Sequence, residues 1–175
     1  LPYVDGDKIG VEGFSFGGTM TSMLLMQAPD NFHYGIAGGG VYDWALYDSH
    51  YTERYMDTPQ NNPEGYAVAK VLNYVDGYPT EYTESVSVSN ASSSSPKGEC
   101  ARFKVEPVML KLTHGTGDDN VHHQNTLQLL DAMHKAGKKF DFMIYPDGMH
   151  GYRGYQGAHF QNANNEFWLK YLKSE

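Results

Sequence analysis

The stretch Gly13-Phe14-Ser15-Phe16-Gly17-Gly18 decides the fold of this chain. It has the form G-x-S-x-G. A short apolar run, Ile9-Gly10-Val11, precedes it and predicts a buried strand. A run from Thr19 to Ala28 follows it and predicts a helix. Strand, tight turn and helix are the context in which this pattern is a nucleophile elbow. Such a turn holds the serine in a strained backbone conformation and leaves no room for large neighbours. Gly13 and Gly17 are read as supplying that room, and Gly18 as letting the helix pack closely. The Ser15 hydroxyl would then stand at a helix N-terminus, where backbone N–H groups and the helix dipole favour a developing negative charge. The other reading of the pattern is a glycine-rich turn holding an ordinary serine.

Three further apolar runs, Gly35 to Gly39, Val108 to Leu112 and Phe140 to Tyr145, predict buried parallel strands. Between and after them lie helical patterns. Gln124 to Lys135 carries Leu127, Leu130 and Met133 at helical spacing, with Gly137 placed as a C-terminal cap. Ala158 to Leu172 carries Phe160, Ala163, Phe167 and Tyr171 on one face and predicts an amphipathic helix packed on the sheet. Strands alternating with helices predict an α/β domain with a mostly parallel sheet flanked by helices. Two stretches break the rhythm. Asp43 to Gln60 is rich in tyrosine and acidic residues and suits a surface excursion. Residues 79–104 contain Val86-Ser87-Val88-Ser89, a run of four serines and Pro96-Lys97-Gly98, and read as a flexible insertion with a possible short hairpin. Asn90-Ala91-Ser92 fits the glycosylation pattern and is read as chance.

A serine hydroxyl is a poor nucleophile at neutral pH and needs a base, which in turn needs an orienting group. On this kind of sheet the chain order is Ser, then Asp or Glu, then His, each on a loop after a strand. The sequence offers that order. His114-Gly115-Thr116-Gly117-Asp118-Asp119-Asn120 follows the third strand, and Asp147-Gly148-Met149-His150-Gly151 follows the fourth. Asp118 is the candidate acid and His150 the candidate base. Asp119 competes for the acid role, Asp118 also reads as a helix cap, and His150 as a turn histidine.

Composition bounds the function. A net charge of -8 argues against nucleic acid as partner. No apolar run approaches the roughly 20 residues that span a membrane. Eight histidines are scattered, His122-His123 are adjacent, and H-E-x-x-H is absent, so neither a metal nor another cofactor is expected. One cysteine, Cys100, leaves no internal disulfide. The first residues, Leu1-Pro2-Tyr3, lack an initiator Met and a leader pattern, and the chain reads as the interior of a longer protein.

These motifs resemble the catalytic domain of the prolyl oligopeptidase family of serine peptidases, within it the dipeptidyl peptidase IV branch, bacterial members in particular. Besides the elbow, the resemblance rests on Tyr47-Asp48-Ser49-His50-Tyr51-Thr52-Glu53-Arg54-Tyr55-Met56, on His114 to His122 and on Asp147 to Gly151. It covers nearly the whole chain except the serine-rich insertion. It implies an α/β-hydrolase fold, with residues 1–175 as the C-terminal portion of the peptidase domain and the N-terminal strands of the fold missing. It implies Ser15 as nucleophile, Asp118 as acid and His150 as base, with the backbone N–H of Phe16 as one oxyanion donor. Tyr47 and Tyr51 match walls of a small pocket that accepts proline, and Val41, Trp44 and Val121 match further apolar lining. Asn120 matches a residue that holds a substrate carbonyl. A pyrrolidine ring is compact and apolar, so apolar and aromatic walls suit it. Phe14 and Phe16 depart from the Trp and Tyr usual in the branch, which leaves the backbone donor unaffected. The second oxyanion donor, a tyrosine, and a β-propeller that holds the substrate's amino terminus would precede this chain.

The implied activity is release of N-terminal dipeptides with Pro or Ala in second position, through an acyl-enzyme. The alternatives are an acylaminoacyl peptidase or esterase with the same triad, and a non-catalytic module or inactive fragment. The expected partners are peptides with penultimate Pro or Ala and a second copy of the complete protein, and the expected location is outside the cytoplasm, in the periplasm or at the cell surface.

Overall fold

The computed structural model describes residues 2–82 and 106–173. Four strands, β1 (Gly10–Phe14), β2 (Tyr34–Gly38), β3 (Met109–Gly115) and β4 (Asp141–Tyr145), form one sheet in the order β1-β2-β3-β4. All three pairings are parallel, with Gly13 beside Ala37, Ala37 beside Leu112 and Leu112 beside Phe142. Within the described residues β1 and β4 are the edges. Each strand coincides with an expected one, and β1 and β3 run about three residues further than the apolar runs. Both extensions lead into polar or glycine positions that carry the site: β1 ends at the elbow and β3 at His114-Gly115.

Helices cover both faces. On one side lie α1 (Phe16–Gln27), a 3₁₀ segment (Val71–Gly77) and α4 (Gln124–Lys135). Their buried residues Leu25, Met26, Val71, Val75, Leu129 and Met133 pack with Ala37, Leu110 and Leu112 of the sheet. On the other side α5 (Gly154–Leu172) packs Phe167 and Tyr171 against Tyr34, Ile36 and Met109. Alternate residues of β3 therefore serve opposite layers, which is the period-two rule for a strand covered on both faces. Glu12 of β1 accepts bonds from Asn164 Nδ2 (2.9 Å) and Trp168 Nε1 (3.1 Å), which ties α5 across the sheet. α5 begins four residues earlier than expected, and Gly137 takes the left-handed conformation (φ 65°) just beyond α4, as a C-terminal cap requires.

The excursion 43–60 is mostly exposed, as expected, with Asp43, Trp44 and Thr52 buried. It contains a short 3₁₀ turn (Trp44–Leu46) and α2 (Ser49–Met56), followed by α3 (Pro63–Ala69). Trp44 is buried in a cluster with Val41, Tyr66 and Val121, and Thr52 is buried as well, while Tyr51 and Tyr55 stay exposed. The insertion starts later than residue 79. Thr80 is buried and bonds the Val108 carbonyl, and the Tyr82 N–H bonds the Gly137 carbonyl, so residues 80–82 are tied to the body of the fold. Residues 83–105, with the sequon and Cys100, lie outside the described residues.

Candidate active site

The elbow is formed by local necessity. Ser15 sits between β1 and α1 with φ 59° and ψ -124°, a conformation that costs a non-glycine residue about 1–3 kcal/mol. Its amide donates to the Gly38 carbonyl at 2.8 Å, which anchors the turn on β2. A Cβ on Gly13 would lie 2.2 Å from the Gly17 carbonyl oxygen, and one on Gly18 would lie 2.6 Å from that of Gly38. A Cβ on Gly17 would meet nothing within 4 Å. The room is thus needed at Gly13 and Gly18, and the Gly17 backbone is what Gly13 must clear; this corrects the sequence reading. The Phe16 amide, in the first turn of α1, bonds no backbone carbonyl among the described residues and is free to donate to an oxyanion.

The loops after β3 and β4 converge on Ser15. His150 Nε2 lies 2.9 Å from Ser15 Oγ, and His150 Nδ1 lies 2.8 Å from Asp118 Oδ2. The Asp118 side chain is 1% exposed. Its Oδ1 accepts the amides of Asn120 (3.0 Å) and Val121 (2.9 Å), so both oxygens are engaged. Asp118 therefore caps its own turn rather than α4, whose N-cap position is His123. Asp119 is exposed and takes no part in the row. Phe14 lies against the His150 ring, with centroids 5.1 Å apart, and edge-on to Tyr152. The Tyr152 hydroxyl donates to Thr113 Oγ1 at 3.0 Å, and burial pushes that phenol well above its ordinary range, so it remains a donor.

Beside the elbow lies an apolar cavity of about 210 Å³, lined by Phe16, Trp44, Tyr51, Thr52, Tyr55 and Met56. Of the residues expected to line a small pocket, Trp44 and Tyr51 face it. Tyr47 stands edge-on to both rings, at 5.9 and 5.7 Å. Val41 and Val121 are buried behind Trp44. The Tyr47 hydroxyl donates to Asn120 Oδ1 at 2.8 Å, which joins two expected binding residues in one contact and leaves the Asn120 amide as donor. Burial and the nearby Asp48 raise the Tyr47 phenol, which keeps its proton for that bond. On the outer side of His150 a cavity of about 450 Å³ is bordered by Asp119, Asp147, Met149, Arg153 and Gln156.

Three residues that sequence reasoning passed over hold the site together. Thr19 Oγ1 accepts the Val41 amide (3.0 Å) and donates to the Val41 carbonyl (2.8 Å). Asn125 Oδ1 accepts the amides of Tyr42 and Asp43 at 3.0 and 3.1 Å. Both side chains are buried and both fix the start of the pocket segment. His114 is wholly buried beneath Asp118. The strand alternation Leu110, Leu112, His114 is the one sequence signal that could have put this histidine on the core face of β3.

A parallel sheet flanked by helices, with a strained serine at a strand–helix elbow and a buried Asp–His pair aimed at it, is the arrangement of the α/β-hydrolase fold. The comparisons narrow the class. The model of the prolyl oligopeptidase family matches residues 1–175, and the chain belongs to that family. It is 41% identical over 180 residues to the probable dipeptidyl-aminopeptidase B of Uncinocarpus reesii, covering 97% of this chain and 17% of that protein. The same figure over 165 residues holds for the protein of that name from Talaromyces marneffei, covering 93% and 15%. Among solved structures, Porphyromonas gingivalis dipeptidyl peptidase 4 superposes with a TM-score of 0.77 at 34% identity, over 95% of this chain and 20% of that one. The chain thus spans about a fifth or less of the length of these relatives. Among the described residues no helix is long and apolar enough to cross a membrane.

Proposed function

We propose that the complete protein is a serine exopeptidase that releases N-terminal dipeptides with Pro or Ala in second position. The observation that carries this reading is the row Asp118 Oδ2–His150–Ser15 Oγ at 2.8 and 2.9 Å beside an aromatic cavity of about 210 Å³. Ser15 Oγ attacks the carbonyl carbon of the second residue while His150 Nε2 takes its proton. The developing oxyanion is met by the Phe16 N–H. Collapse breaks the C–N bond, and His150 returns the proton to the leaving amine. Water, activated by the same histidine, then cleaves the ester. Asp118 keeps the Nδ1–H tautomer and balances the transient imidazolium. The second residue's side chain enters the cavity between Phe16, Trp44 and Tyr51, where its volume favours a small or cyclic group. The Asn120 amide, oriented by Tyr47, is placed to hold a carbonyl.

The test is a panel of chromogenic substrates on the complete protein. Ala-Pro and Gly-Pro anilides are expected to turn over. Turnover confined to acetyl-amino-acid anilides or simple esters would contradict the reading. The same proposal takes the complete protein to be exported and to pair with a second copy through α5, whose Tyr155 and Leu169 are exposed. Light scattering of the complete protein, with and without charge at Leu169, tests the pairing.

A further inference from the structure

We propose that His114 is a positioning residue for the acid of the triad: a neutral histidine that fixes Asp118 from below and faces an N–H edge to the carboxylate oxygen that holds His150. The inference rests on the Ser15–His150–Asp118 reading given above and extends it one layer into the core.

His114 Nε2 lies 2.8 Å from the Val121 carbonyl and 3.3 Å from Asp118 Oδ2. Both are acceptors only, so Nε2 carries the hydrogen. Nδ1 then accepts the Thr126 hydroxyl of α4, at 2.6 Å. The N–H is directed to the Val121 carbonyl, and the Val121 amide in turn donates to Asp118 Oδ1. Val121 is therefore held on both sides, and the turn 118–121 cannot tilt without breaking one of these bonds. Oδ2 receives His150 from above and the positive edge of His114 from below. In a wholly buried setting such dipoles are weakly screened. Burial also pushes His114 below the ordinary histidine range, which keeps it neutral and preserves the one tautomer that fits.

Among the described residues, the titratable groups that face Asp118 include His114, His123 and His150 and the Tyr47 and Tyr152 phenols, which Asp118 helps to raise. His114 faces Asp118, the His123 ring at 5.3 Å and, through Asp118, His150. His123 is itself depressed by burial. His150 faces Asp118 and Ser15 on the inside and the cavity with Asp119, Asp147 and Arg153 on the outside. Substitution at position 114 changes only the inner set. Removing the N–H edge leaves more of the carboxylate charge to His150, which then holds its imidazolium proton more tightly.

The experiment is the rate of fluorophosphonate labelling of the complete protein against pH, for the wild type, His114→Leu and His114→Gln. The glutamine amide reaches as far as Nε2 and keeps a donor there. For His114→Leu the acid limb is expected to move up by about 0.5 pH unit, with the plateau lowered about tenfold by the loosened turn. His114→Gln is expected to restore the wild-type limb. If His114→Leu does not fold, His114→Met, which also lacks an N–H at that position, is read the same way, again with His114→Gln as the rescue. A lowered plateau with the limb unmoved or moved down would mean a merely structural histidine and overturn the inference alone. A folded wild type that takes no label would overturn the Ser15 reading, and this inference with it.

Discussion

Ser15 holds a left-handed φ that no residue but glycine adopts without cost, and the surrounding contacts fix it there. Gly13→Ala would drive a methyl group to 2.2 Å from the Gly17 carbonyl, and backbone must shift to accept it. The expected outcome is loss of labelling with a lowered unfolding midpoint. Asp118→Asn leaves the turn but presents the wrong partner to His150 Nδ1, and kcat is expected to fall by about 10⁴; steady-state rates on a dipeptidyl anilide check it. At this scale the convergence of Ser15, Asp118 and His150 was legible, because they lie in a fixed order on loops after strands. The choice between Asp118 and Asp119 was legible only through the family motif. In the structure Asp118 alone turns inward to meet His150, while Asp119 stays exposed. His114 was hidden for the opposite reason: a histidine within an apolar strand looks like packing until its two nitrogens find partners. Its depressed basicity has a consequence for stability. The unfolded chain protonates His114 and His123 first, so folding stability is expected to fall as pH drops below about 6.5, the ordinary value, with the loss growing until the buried rings themselves titrate. Thermal unfolding between pH 7 and 5 should show this, with a shallower slope in His114→Gln.

The segment from Gly39 to Met56 carries the pocket, and its shape depends on elements remote in sequence. Thr19 of α1 and Asn125 of α4 together bind four backbone polar groups of residues 41–43. Asn125→Leu strips two buried amides of their acceptor and is expected to cost about 2–4 kcal/mol in denaturant unfolding. Thr19→Val is expected to cost a similar amount by stripping one amide and one carbonyl. A milder change, Tyr47→Phe, leaves the fold intact and frees Asn120, so it is expected to raise KM more than it lowers kcat. The strands and α4 were legible from apolar runs, helical spacing and the Gly137 cap. The burial of Trp44 within 43–60 was not, because Trp44 is covered by Val41, Tyr66 and Val121 from other parts of the chain rather than by its own element.

At the scale of the molecule, one sheet between two helical layers brings three loop ends to its C-terminal edge, where open parallel sheets place their sites. Hydrogen bonds run from Thr126 in α4 to His114, from His114 through Val121 to Asp118, and on to His150 and Ser15, so the layer of α4 supports the site at the sheet edge. The start of the 79–104 stretch was misread because its composition changes gradually, while Thr80 is held by Val108 and Lys139 and Tyr82 by Gly137. The architecture itself was legible from alternation of strand and helix. The central claim is that Ser15 becomes acylated. The most direct measurement is mass spectrometry of the complete, folded protein after fluorophosphonate treatment, with the modified peptide sequenced. The account predicts a single adduct on Ser15 that disappears in Ser15→Ala; an adduct on another residue, or one that survives that substitution, would contradict it.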